Sequence, residues 1–240
     1  MLTIQASSRG YRELNEAITA AQDQDILLEG VLGQRFLGAG LSEKSLTIQG
    51  IPGNALGAYL DGARIHVCGN AQDATGDTMN DGQIIIDGSC GDAAGYAMRG
   101  GRIYIRGNAG YRAGIHMKAY QEKLPVMVIG GRVGSFLGEY QAGGIIIVLG
   151  LGEDGVPVGN FCGTGMHGGR IYLRTASLPA DLPSQVAARQ AEPADLEAIS
   201  PILEDYGRHF GLAAQDLEGK PFYVLEPNTQ NPYHQLYTPN

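Results

Sequence analysis

The chain is 240 residues long, 43% hydrophobic, with 37 glycines and a formal net charge of -8. That length can bury a sizeable core in one domain or two small ones, and regularly placed Ile and Val exclude low-complexity disorder despite the glycine. The acidic balance argues against nucleic acid and acidic membrane surfaces as partners, because both call for a basic face that displaces counterions.

Met1 to Gln5 lacks the basic region and apolar core of a signal peptide, and the longest apolar run, Ile145 to Leu149, is too short to span a bilayer. A soluble, cytoplasmic protein is expected. Residues 1 to 8 read as extended. From Gly10 to Ala21 the residues Tyr11, Leu14, Ala17, Ile18 and Ala21 recur at helical spacing, which predicts an amphipathic helix. Residues 1–24 thus read as a strand and a helix that caps the open end of a stack of coils beginning near Asp25.

Gly38, Gly57, Gly76, Gly95 and Gly114 are each separated by 19 residues, and Gly138 and Gly163 come after steps of 24 and 25. Apolar triplets keep the same beat, at Leu46-Thr47-Ile48, Ile65-His66-Val67, Ile84-Ile85-Ile86 and Ile103-Tyr104-Ile105, then Met127-Val128-Ile129, Ile146-Ile147-Val148 and Ile171-Tyr172-Leu173. Such self-similarity is the signature of stacked coils. A 19-residue coil is too short for a strand-helix unit, which needs about 30 residues, so each coil consists of short strands and tight turns. Corner glycines recur as G-x-x-G-x-x-x-G, as in Gly88/Gly91/Gly95, rather than as an aliphatic every six residues. The expected fold is mainly β: a right-handed parallel β-helix of seven to eight coils over residues 25–175.

Set in register, the position three residues after each frame glycine reads Leu41, Leu60, Met79, Met98, Met117, Gln141 and Met166, an interior ladder broken by one amide. Gln141 needs partners there, from water, a backbone group or a departure in the coil. Three residues before the frame glycine stand Asn54, Asp73, Asp92, Tyr111, Ser135 and Asn160, suited to bonding backbone at turns. The longer steps place insertions at His116 to Pro125 and Leu151 to Pro157, expected as contact loops.

Beyond Arg174 the period stops, and residues 176–240 read as a linker, a helical segment and an extended tail. The helix opens at Pro193, runs through Leu196, Ile199, Ile202, Leu203, Tyr206 and Phe210, and stops near Gly211, with Pro201 expected to split it. Prolines and aromatics from Lys220 to Tyr237 suggest a segment that docks on its own domain or on a partner.

The chemistry is sparse. No phosphate-binding G-x-x-x-x-G-K-[ST] is present, and the histidines His66, His116, His167, His209 and His234 form no H-x-x-x-H pair. Cys68, Cys90 and Cys162 fall at three different coil positions and read as buried or half-buried thiols rather than a metal cage. Asp73 and Asp92 are stacked neighbours that imitate a catalytic carboxylate pair but lack a cleft.

The runs Gly50 to Gly57, Gly69 to Met79, Tyr96 to Gly101, Gly110 to Lys118, Gly138 to Gly144 and Gly163 to Gly169 resemble the GXGXG domain. This is the right-handed β-helix at the C-terminus of the glutamate synthase large subunit, and it also forms the β-helix subunit of formylmethanofuran dehydrogenase. Gln141 departs from the family's Met. The resemblance implies a non-catalytic scaffold in a glutamate synthase-like oxidoreductase complex. Its partners would be a glutamine amidotransferase-type subunit and an FMN/iron-sulfur glutamate synthase-type subunit. FMN and iron-sulfur clusters are then expected on those partners and no cofactor on this chain; self-association also stays open. Two alternatives stand beside it: the β-helix subunit of a formylmethanofuran dehydrogenase-type complex, and a stand-alone β-helix enzyme on a sugar or acyl substrate. Candidate interface residues are Arg112, His116, Lys118, Glu139 and His167, read as exposed, with Phe222, Tyr233 and Tyr237 near the C-terminus.

Overall fold

The computed structural model describes residues 1–228; Tyr233 and Tyr237 lie outside the described residues. Strand β1 (Leu2–Gln5) leads into helix α1 (Tyr11–Ala20). Eight strands come next: β2 (Asp25–Leu32), β3 (Ser45–Ile51), β4 (Asp61–Val67), β5 (Asp81–Ile86), β6 (Arg102–Ile105), β7 (Val126–Ile129), β8 (Ala142–Val148) and β9 (Gly168–Arg174). Each pairs in parallel with the next, one coil on, and β1 adds to β2 in the same sense. This is the parallel β-helix expected. After β9 come β10 (Val186–Gln190), α2 (Pro193–Phe210), a short 3-10 turn and β11 (Phe222–Pro227), with β11 inserted antiparallel between β9 and β10.

Corner chemistry departs from expectation. The frame glycines Gly38 to Gly163 do have positive φ, but so do the residues two before and two after them, nearly all of them not glycine: Ala74 (φ 55°), Thr78 (φ 51°), Arg112 (φ 57°) and Tyr140 (φ 54°) are four. Their strain is offset by a two-way ladder. From Phe36 to Tyr140 each flanking residue donates its N–H forward to the next coil, as in Ala74 to Asp92 O (2.7 Å) and His116 to Glu139 O (2.9 Å). Each frame glycine donates backward, as in Gly76 to Leu56 O (2.8 Å). Glycine is required at the frame position because the interior is filled. A Cβ on Gly95 would stand 2.3 Å from Met127 Cε, and one on Gly114 would stand 2.4 Å from Ile146 Cδ1. The other corner glycines, such as Gly91 and Gly110, keep ordinary φ. They are small because the previous coil's Asp73 and Asp92 side chains press on them, 2.2 Å from where a Cβ would be.

Those aspartates have a structural task. Asp73 Oδ1 accepts the Asp92 N–H (2.9 Å), Asp92 Oδ1 the Tyr111 N–H (2.8 Å), and Ser135 Oγ the Asn160 N–H (3.1 Å). A second ladder missed in the sequence runs through Asn70, Ser89 and Asn108. Side-chain acceptors here replace strand bonds between coils at the corners, which weighs against a catalytic reading of Asp73 and Asp92.

The interior ladder is buried throughout, from Leu41 to Met166. Gln141 sits in it with no exposure, donating Nε2 to the carbonyls of Gly143 and Gly144 (both 3.2 Å) while its Oε1 has no partner. Directly after it the β8–β9 register slips between Ala142 and Ile145 as the β4–β5 register does after Leu60, so of the partners expected the amide has a backbone contact and the slip is a general feature of the coils.

Both ends are closed. Helix α1 buries Leu14 and Ile18 against the first coil, and Asn15 supplies the missing preceding coil: its Oδ1 accepts the Gly38 N–H and its Nδ2 donates to Phe36 O (both 2.9 Å). At the far end Asp181 Oδ2 accepts the Phe161 N–H (2.9 Å), and Val186 takes the aliphatic position over Gly163. The stretch read as a linker is therefore the second cap, and its β10 joins the sheet.

A second core lies outside the solenoid, where α2 covers the outward column Tyr104, Val128, Ile147 and Tyr172 with Ile199, Ile202 and Tyr206. Pro201 does not split α2, which runs unbroken from Pro193 to a left-handed Gly211 (φ 68°). Asp205 pins it to the sheet, accepting from Tyr104 Oη and Arg102 Nη1 (both 2.9 Å). Burial opposes ionisation of Asp205, but bonds from Arg208, Tyr104 and Arg102 outweigh it and hold the carboxyl below its usual range.

Candidate partner interface

The left-handed corner residues point their side chains out of the solenoid, so whatever occupies those columns lines its surface. In the middle coils the column two before the frame glycine is Ala55, Ala74 and Ala93; then it changes to Arg112, Phe136 and Phe161. Phe136 meets Tyr111 edge-on at 5.3 Å between ring centroids and Phe161 at 5.0 Å, and Arg112 lies over Tyr111 at 4.9 Å. This is one aromatic row along the axis. The column two after the frame glycine gives a second: His116 stacks on Tyr140 at 5.2 Å with rings 12° apart and takes the edge of Tyr96 at 5.9 Å. Tyr140 in turn lies on Gly165, where a Cβ would stand 2.5 Å from its ring.

Arg112 and Glu139 join the rows. Arg112 Nε and Glu139 Oε2 are 2.8 Å apart, close enough for an ion pair but too bent for a hydrogen bond. Glu139 is only 5% exposed, which corrects the expectation of an exposed contact residue. Glu139 precedes Tyr140 in the chain and its carbonyl accepts the His116 N–H (2.9 Å), so its backbone joins the two residues of the second row. Tyr96, Tyr111, Tyr140 and Phe161 remain 37–47% exposed. Aromatic side chains ordered on a rigid frame yet open to water are the usual content of a binding surface.

Five of the sequence-selected residues therefore converge. Arg112 and His116 belong to the rows, the buried Glu139 pairs with Arg112, and His167 lies near His116 and Lys118. Burial, then the charges of Lys118 and His116, push the His167 imidazole below its ordinary value. The aromatic residues Tyr96, Phe136, Tyr140 and Phe161 were missed, and Tyr111 was read only as a turn residue; reading the columns two before and two after each frame glycine would have found Phe136, Tyr140 and Phe161. Phe222 is elsewhere. It lies half-buried in β11 and lines an apolar groove of about 910 Å³ with Leu203, Leu212 and Leu217 on the α2 side.

The first insertion folds back on earlier coils through Lys123, which pairs with Asp81 (3.0 Å) and Asp61 (3.6 Å), leaving Tyr120 and Leu124 exposed. The second is tied down where Lys220 Nζ donates to Glu153 O. Cys90 and Cys162 are buried thiols, pushed by desolvation up to about 11 and about 12, whereas Cys68 is exposed, contrary to the buried or half-buried reading. Among the described residues no helix is long and apolar enough to cross a membrane.

A family model described as the GXGXG motif matches residues 20–217. A protein of Methanocaldococcus jannaschii, named only as uncharacterized, is 44% identical over 254 residues, covering 100% of this chain and 97% of its own. A chain in the crystal structure of the formyltransferase/hydrolase complex (FhcABCD) from Methylorubrum extorquens, determined with methylofuran, shares the fold with a TM-score of 0.63. It is 23% identical, over 85% of this chain and 74% of that one.

Proposed function

This chain belongs to the GXGXG motif family, and on that premise we propose that it is a structural subunit of a multi-subunit enzyme complex, with the two aromatic rows seating a neighbouring subunit. The observation that carries the reading is the exposed aromatic face itself. Five rings and a guanidinium are held by contacts within two rows on coils that are otherwise sealed by ladders, caps and α2. Such a surface loses little side-chain entropy on binding, because its rings are already fixed by their neighbours. Arg112 and Lys118 beside the rows suit a partner that presents carboxylates near an apolar patch.

The assembly favoured is one that carries or hydrolyses a formyl group. Its support is the shared fold with a chain of the formyltransferase/hydrolase complex. The second reading is the glutamate synthase-like complex, whose support is the resemblance of the coil motifs Gly69 to Met79 and Gly110 to Lys118. There the chain would hold a glutamine amidotransferase-type subunit and an FMN/iron-sulfur subunit. Affinity purification of the tagged chain from its native host, with mass spectrometry of the proteins that accompany it, separates the two. Formyltransferase and hydrolase subunits are the expected companions; an amidotransferase and a flavoprotein would transfer the chain to the second reading. A chain that elutes alone at native concentration would remove both.

A further inference from the structure

The coil stacking assembles a donor set that no single stretch of sequence contains. His66 lies in β4 and Cys68, two residues on, directly follows it; Val67 between them is buried, so both side chains leave the outward face. Asp87 comes directly after β5 and stands one coil above Cys68. Ladder bonds fix both backbones: Cys68 N–H donates to Ile48 O (2.9 Å) and Asp87 N–H to Val67 O (3.0 Å). His66 Nε2 and Asp87 Oδ1 are 3.0 Å apart, and a ligand atom from each of the three residues lies within 4.8 Å of the other two.

We propose that His66, Cys68 and Asp87 form a surface binding site for a thiophilic divalent cation, zinc by donor type, with a fourth position open to water or to a side chain of a bound partner. Zinc bonds of about 2.0–2.3 Å in tetrahedral array set ligand atoms roughly 3.3–3.8 Å apart, so side-chain rotation of about an ångström closes the set. One imidazole nitrogen, one sulfur and one carboxylate oxygen suit zinc or cobalt(II) and are poor ligands for magnesium or calcium. The half-exposed position of the trio matches the three-ligand, one-open arrangement rather than a sealed structural site.

The competing account is an ordinary His-Asp hydrogen bond beside an unrelated thiol. Coil register brings the exposed Cys68 thiol within 4.8 Å of both partners of that pair, which the pair itself does not require. Cys90 and Cys162 are buried and do not compete.

The test uses the full, tag-free chain dialysed against zinc, then against metal-free buffer, with bound metal counted by mass spectrometry. Cobalt(II) titration gives an independent readout through the thiolate-to-cobalt charge-transfer band. One equivalent of zinc and that band are expected. Cys68→Ser should abolish the band, and Cys68→Ser and His66→Gln should each weaken zinc binding at least tenfold, with circular dichroism unchanged. Cys90→Ala should keep both signals if it folds, and Asp87→Asn should weaken binding if it does not. No retained zinc and no thiolate band, or zinc binding indifferent to Cys68→Ser, would overturn the site.

Discussion

Gly76 and Ile103 occupy one space: a Cβ on Gly76 would stand 2.4 Å from Ile103 Cδ1, two strands further along the stack. Two residues before it, Ala74 has the same left-handed backbone with its Cβ outside. Gly76→Ala should therefore cost about 2–4 kcal/mol, from positive-φ strain plus overpacking of the Ile column. Ala74→Gly should change stability by less than about 1 kcal/mol, because relieved strain and added chain entropy oppose each other. Urea denaturation of both variants checks this; a gain in Ala74→Gly as large as the loss in Gly76→Ala would mean that conformation rather than packing fixes the frame glycine.

Gln141 is poised between a gain and a cost. Its two long bonds to Gly143 and Gly144 are offset by an unpartnered Oε1. Gln141→Met, which restores the column, should remain within about 1 kcal/mol of the parent chain. Gln141→Glu would face two carbonyl acceptors with a carboxylate and should lose about 3 kcal/mol or more at neutral pH. Burial would raise that carboxyl's pKa, so the loss should shrink as pH falls and the group protonates. Denaturation at pH 7 and pH 4 measures both effects.

Asp195 secures the start of α2. It takes two bonds from Arg189 (2.5 and 3.0 Å) and one from the Glu192 N–H (2.8 Å). The Arg189 bonds first, and the Glu192 amide second, hold its carboxyl down at about 2. Its unfolded value is about 3.9. With the folded value depressed, the stability it contributes is complete above about pH 4 and is lost as pH falls through about 2. Asp195→Asn should thus be less stable than the parent at neutral pH, and the difference should close toward pH 2. A difference independent of pH would assign the effect to packing alone.

Phe136 and Tyr140 are ordered by contacts with other exposed rings rather than by the core. Phe136→Ala and Tyr140→Ala should each alter stability by about 1 kcal/mol or less and weaken association with the partner subunit tenfold or more. Thermal melts beside copurification yields decide the point. Full retention of the partner by the double variant would move the interface elsewhere on the coils.

The outward-facing pattern explains why the sequence is informative about the fold and less so about its surface. Interior positions such as Met79 and Ile84 repeat because each must fit the identical position one coil away, so their column is visible in a single chain. Pro201 and the linker are not legible in the same way, because their outcome depends on what lies beneath. An α2 docked on Tyr104 and Tyr172 tolerates a proline on its exposed side, and a β-helix needs something to close its last coil.

By itself, then, the sequence determined the period, the coil length, the Leu/Met ladder and the residues around Arg112 and His116, because these follow from local spacing and from repetition. Only the tertiary structure decided that Glu139 is buried beside Arg112, that Asp73 and Asp92 serve neighbouring amides, and that His66, Cys68 and Asp87 share one face. Those relations join residues a coil apart through the register between strands, and a register is fixed by packing across the whole stack rather than by any one stretch of chain.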